Sequence, residues 1–248
     1  PGGHAARTLP SLAPSLRPNL EQLAADVGLD PRIAEEILAP LSEKGLMRRD
    51  AENDRWHLSH AVMELARPFL NSDDILVRVR PLMEQWHVET GETVSLFHRA
   101  GDQQIVTAAL PSPHPVRYAL EVGSAFPLYL GAGGKAMLAF LPEAEREALI
   151  KADGLDAMTR RIPKVSALRK ELALIRQRGF AISSGERVEG ASAVALPVLR
   201  EDGRPAAVLG LMMPSFRTSD AKLIRLGERL SEALRALRLP EEQRPRGE

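Results

Sequence analysis

The stretch GAGGKAMLAFLP, from Gly131 to Pro142, sets three glycines and a lysine ahead of an apolar run. A Gly-rich loop cradles phosphate when it reads G-x-x-x-x-G-K followed by Ser or Thr: the first Gly gives the tight turn and the hydroxyl holds Mg²⁺. Gly134 and Lys135 supply the G-K, but Tyr129 stands where the leading Gly belongs and Ala136 where the hydroxyl belongs. The alternative is a Gly-rich entry into a buried helix, whose small residues let it lie close against a sheet or a ligand. Nucleophilic chemistry has less to offer. No cysteine is present, and no Ser sits in a G-x-S-x-G elbow. Of six histidines, only His57 and His60 share an i, i+3 spacing. Glu186 and Glu189 form a close carboxylate pair, which a loop of solvated charge explains equally well. No catalytic residue, metal site or cofactor is expected, and the chain is not read as an enzyme.

Length and charge narrow the class. A chain of 248 residues makes one large domain, or a small one plus a medium one. Apolar residues at 44% and charged residues at 27% are ordinary for a soluble globular protein. Net charge is zero, so no global field draws the chain to nucleic acid or membrane. No apolar run approaches the roughly 20 residues that cross a bilayer. The opening PGGHAARTLPSLAPSLRP is Pro-rich, lacks the apolar core of a signal peptide, and begins on Pro, as a trimmed start would. These features fit a cytoplasmic protein of bacterial type with no membrane partner.

The elements that must position such residues follow from periodicity. Asn19 with Gln22 three residues on reads as a capping box. Leu20, Leu23, Ala24 and Val27 share a face, and Gly28 stops the helix. Pro31 opens a second helix, expected to bury Ile33, Ile37, Leu38 and Leu41 before Gly45. Strands at Leu46–Arg49 and Arg55–Leu58 around a polar turn would make a β-wing. The set reads as a winged helix-turn-helix over 1–58, or as any small helical hairpin followed by a β-hairpin. Helical pattern resumes from Ser59 to about Gly91, with Pro68 and Pro81 expected to bend or break it. We read 59–73 as a linker helix and 74–248 as an effector-binding domain. Strands are expected at Thr93–His98, Gln104–Ala109, Val116–Leu120, Phe180–Ser183, Ser192–Leu199 and Ala206–Met213. A final helix carries Leu223, Leu226, Leu230, Leu234 and Leu237 as one stripe, and Glu241–Glu248 reads as a frayed tail. The fold class is α+β, with a mainly antiparallel sheet.

The order of parts, and above all PLYLGAGGKAMLAFLP followed by RGFAISSGERVEGASAVALPVLREDGRPAAVLGLMMP, resembles the IclR family of bacterial transcription regulators. ETGETVSLFHRAGDQQIV is similar to the start of that family's effector domain. The resemblance covers about Asn19 to Leu237. It implies a GAF-like effector domain, homodimers or homotetramers, operator DNA as partner, and control of a catabolic operon by a small molecule. The apolar face of the Val62–Leu70 helix also suits self-association.

By the same match, Ala132 and Gly133 would contact the effector, with free helix N-terminal amides suited to a carboxylate. Family acid sensors carry an Asp and two Ser on the facing strands. Here those positions are Ser183, Gly210 and Met212, with Ala193 at a neighbouring one. Tyr118, Phe126 and Tyr129 could add aromatic walls or be ordinary core. Fewer hydroxyls and more room imply a larger, more apolar guest, an aromatic or apolar organic acid, because a small dianion needs several donors.

The DNA-binding end departs from the family. Residues 1–57 hold seven basic and nine acidic side chains, and Ala34, Glu35 and Glu36 occupy the turn expected to face base edges. Arg32, Lys44, Arg48, Arg49 and Arg55 remain for phosphates, while Trp56 is expected to pack the wing against the core. Pro10, Pro14 and Pro18 fall where the family has its first helix. The expected function is a ligand-responsive DNA-binding regulator. The alternative is a degenerate regulator that senses a ligand and acts through a protein partner.

Overall fold

The computed structural model describes residues 18–72, 74–152, 164–235 and 237. The prolines at 10 and 14 and the tail at 241–248 lie outside them. The chain divides into two compact units, Pro1–Asp73 and Asp74–Glu248.

In the first unit the polar residues at the helix start act as read. Asn19 and Gln22 exchange side-chain and backbone hydrogen bonds of 2.9 and 3.1 Å, capping helix α1 (Leu20–Val27). Asp30 caps α2 (Pro31–Glu43), its carboxylate accepting from Arg32 N at 2.9 Å. Strands β1 (Met47–Arg49) and β2 (Trp56–Leu58) pair antiparallel as the wing. Leu23, Leu38, Met47 and Trp56 form the core, so Trp56 does pack the wing inward. The buried stripe of α2 differs from expectation. Ile33 is 48% exposed and Ala34 is 2% exposed. With Pro31 as first residue, the inward phase falls on Ala34, Leu38 and Leu41, one helical face at i, i+4, i+7. Ala34 therefore does not face outward with Glu35 and Glu36. Helix α3 (Ala61–Ser72) follows, with Pro68 inside it rather than ending it.

The second unit opens with α4 (Asp74–Thr90), which continues unbroken through Pro81. Proline removes the bond to the carbonyl four residues back, here Val77. Val77 and Pro81 both lie on the solvent side, where water can satisfy that carbonyl. Strands β3 (Thr93–Ala100), β4 (Gln103–Leu110) and β5 (Ala125–Pro127) come next, then helices α5 (Gly131–Phe140), α6 (Glu143–Ala152) and α7 (Val165–Arg178). Strands β6 (Ala181–Ser184), β7 (Ala191–Leu199) and β8 (Pro205–Pro214) and helix α8 (Asp220–Arg235) complete the unit. The sheet order is β5-β4-β3-β8-β7-β6, and every pair is antiparallel. No strand forms at Val116–Leu120. Its carbonyls are taken by side chains instead: Thr93 Oγ1 donates to Tyr118 O at 2.7 Å and Arg217 Nη1 to Val116 O at 2.8 Å. The edge of β4 pairs with Ala125–Pro127.

Alternation along the strands gives the sheet two buried faces. Val94, Leu96, Leu209 and Leu211 meet α4 and α8 through Val79, Met83, Trp86, Leu223 and Leu230. Phe97, Ala195 and Val208 meet α5 and α7 through Ala136, Met137, Leu168 and Ile175. Gly227 lets α8 approach closely, since a Cβ there would stand 2.4 Å from the Phe180 ring.

Candidate functional site

The α5 face of the sheet supplies the floor of a cavity. Register places Ser95 beside Gly210, itself beside Ala195, and Thr93 beside Met212, itself beside Ala193 and then Ser183. Small residues in these rows leave a hollow between the sheet and the start of α5. Its volume is about 40 Å³, room for a few waters. Ala132, Gly133, Ser183, Ala193, Gly210 and Met212, the six expected positions on α5 and the strands, all line it, with Ser95, Phe97, Gln104, Leu120, Glu186, Arg187 and Val188 among their neighbours. The aromatic residues are placed otherwise than expected. Leu120, not Tyr118, forms the wall there; the Tyr118 hydroxyl turns away to donate to Glu189 O at 3.0 Å. Tyr129 is buried in the α5–α7 core. Phe126 stands behind the lining, under the Arg187 guanidinium at 3.9 Å.

The Gly-rich turn is a close-packed joint. A Cβ at Gly133 would come within 2.5 Å of Gln104 Oε1, and one at Gly134 within 2.6 Å of Leu128 O. The first two amides of α5 already have acceptors. Gly131 N donates to Glu186 Oε2 at 3.2 Å and Ala132 N to Ser183 Oγ at 3.1 Å. Lys135 is 1% exposed and bridges Glu171 and Glu186, each at 2.5 Å. Its charge thus ties α5 to α7 and to the β6–β7 loop, and Glu186 is held by a cation and a helix N-terminus together. This Lys binds two carboxylates rather than a phosphate.

Three polar groups of the lining lack such partners. Ser95 Oγ and Gln104 Oε1 are buried, at 1% and 4% residue exposure, with no hydrogen-bond partner among the described residues. Arg187 is half-buried and has an aromatic ring and Met212 Sδ, at 3.8 Å, as its neighbours. Burial draws its pKa below the usual arginine value. Sequence reading missed all three. Ser95 shares strand parity with Phe97 and could have been found so; Arg187 lies in a loop, where no periodicity points.

The basic residues of the first unit divide. Arg32, Lys44 and Arg48 are exposed. Arg49 is clamped by Asp54 through bonds of 2.5 and 2.9 Å, which hold the Asp54 carboxyl below its ordinary range. Arg55, exposed at the end of the same turn, keeps an interaction of its own. His57 lies 3.6 Å from Asp50, a pairing within the wing.

Residues 68–238 match the model of the bacterial transcriptional regulator IclR C-terminal domain. The "Probable transcriptional regulator SauR" of Cupriavidus necator is 31% identical over 207 residues, covering 83% of this chain and 82% of that protein. The "Transcriptional repressor IclR" of Escherichia coli is 25% identical over 223 residues, covering 89% and 81%. The crystal structure of an IclR regulator from Alicyclobacillus acidocaldarius superposes with a TM-score of 0.75 at 24% identity, covering 95% of this chain and 97% of that one. Winged helix-turn-helix and GAF-like sheet are thus the architecture of known regulators, and the chain belongs to the IclR family of bacterial transcription regulators, not to a family of enzymes.

Proposed function

We propose that this regulator answers to a small organic acid with an apolar body, bound in the cavity beneath α5, and that it controls a catabolic operon by gripping operator DNA through its N-terminal unit. The observation that carries this reading is the pair of orphaned buried polar atoms, Ser95 Oγ and Gln104 Oε1, in a hollow of mostly apolar wall. Buried polar groups are satisfied as a rule, and each orphan costs about 1–3 kcal/mol until a guest supplies its partner. Leu120, Val188 and Ala193 offer apolar side chains. At its present volume the hollow admits a ring only as the long side chains of Arg187 and Met212 draw back, which flexible chains do readily. Exposed Met63 and Leu65 on α3 support self-association into a homodimer or homotetramer. Light scattering of the purified chain tests that assembly.

The test of sensing is fluorescence anisotropy of labelled promoter DNA, titrated with benzoate, pyruvate and glyoxylate. We expect the aromatic acid to change DNA affinity. Tight response to glyoxylate or pyruvate, with none to any aromatic acid, overturns the apolar-body reading. A second reading, action through a protein partner, is favoured by exposed Glu35 and Glu36 and by the neutralised Arg49. Promoter binding that is no tighter than binding to random DNA at two salt concentrations would decide for it.

A further inference from the structure

The first two amides of α5, those of Gly131 and Ala132, already serve the chain's own acceptors, Glu186 and Ser183. An incoming carboxylate at that turn would meet Glu186, a like charge, and would have to displace it to reach Gly131 N. The cavity's other ionic group tells the opposite way. Arg187 is drawn from water, and no carboxylate stands beside it among the described residues. Its neighbour in sequence, Glu186, is turned to Lys135 instead. Arginine buried in this way without an anion is expensive, and a planar oxyanion satisfies the guanidinium fork with two parallel bonds.

We infer that Arg187, not the glycine-rich turn, is the anion anchor of this cavity, so that the effector is an acid held by its carboxylate at the guanidinium, with Ser95 and the Gln104 amide meeting its second polar group. This rests on the cavity being the effector site. Phe126 underlies the guanidinium and pairs with Gln104 across β5 and β4, which puts the charged and amide ends of the recognition surface side by side. The guest class is therefore a carboxylic acid carrying a hydroxyl or amide function near the acid, on an apolar body, because Gln104 Oε1 needs a donor.

The test uses the full-length chain and matched probes: benzoate with benzamide, and salicylate with salicylamide, at equal ionic strength. Thermal unfolding and titration calorimetry are the readouts. We expect the acids to raise the melting temperature of the wild type and the amides to leave it unchanged. Salicylate, with its neighbouring hydroxyl, should bind more tightly than benzoate. Arg187→Met should weaken acid binding roughly 10- to 100-fold, the worth of a charged hydrogen bond. Equal gains in wild type and Arg187→Met overturn the anchor and leave the cavity reading standing. No gain in the wild type from either acid overturns the cavity reading and the anchor with it. Should Arg187→Met fail to fold, Arg187→Gln, which keeps donors and loses charge, decides by the same criterion.

Discussion

Of the arginines that sit over aromatic rings, Arg49 and Arg187 have opposite surroundings. Arg49 on the wing lies 5.9 Å from the Trp56 ring and is forked by Asp54 in open solvent. Arg187 lies 3.9 Å from the Phe126 ring, half-buried, with its adjacent Glu186 held elsewhere. The wing cation is already answered from within its own turn. The cavity cation is left for something from outside. The lesson is that counting basic residues overstates a phosphate-binding surface and overlooks a cation held in a cavity, because what decides is whether a carboxylate of the same chain gets there first.

The largest effect should come from undoing the arrangement that keeps Glu186 away from Arg187. Lys135→Met leaves Glu171 and Glu186 facing each other without their cation and should cost about 3 kcal/mol in chemical unfolding. It should also free Glu186 to neutralise Arg187 and so weaken acid binding in calorimetry, making the cavity resemble the wing. Next, Gly133→Ala drives a methyl into Gln104 and should cost about 1–2 kcal/mol. Its thermal response to salicylate should shrink, since the amide end of the site is displaced. On the wing, Arg48→Ala should reduce the slope of log affinity against log salt for promoter DNA by about one, while Arg49→Ala changes it by much less. Asp54→Asn should release Arg49 and steepen that slope; equal effects of the two Ala variants would erase the contrast. Smallest is a pH effect. Arg49 depresses the Asp54 pKa, so the clamp's contribution is present above the ordinary aspartate value and fades as pH falls through the depressed one. In Arg49→Ala, the Asp54 midpoint followed by NMR should rise toward the ordinary value.

Much of the fold was legible because its signals are local. The capping box at Asn19, the alternating strands and the leucine stripe of α8 each declare themselves within a few residues. Expectations failed where a distant partner decided. Val116–Leu120 has strand-like composition, yet Thr93 and Arg217 claim its carbonyls. Of the bend or break expected at Pro68 and Pro81, the break does not occur: both helices continue through them, Pro81 on a face open to water. In the site, the family match led to residues on α5 and the facing strands that the fold gathers round one hollow. The ionic logic was not legible: nothing local says that Lys135 faces Glu171 and Glu186, contacts that span 36 and 51 residues of sequence.

Glu186 and Arg187 are consecutive, and the peptide plane between them is stiff. One residue is fastened to the start of α5 and, through Lys135, to α7; the other reaches into the hollow. Under the proposed anchoring, whatever shifts the second residue acts one peptide away from a side chain tied to two helices.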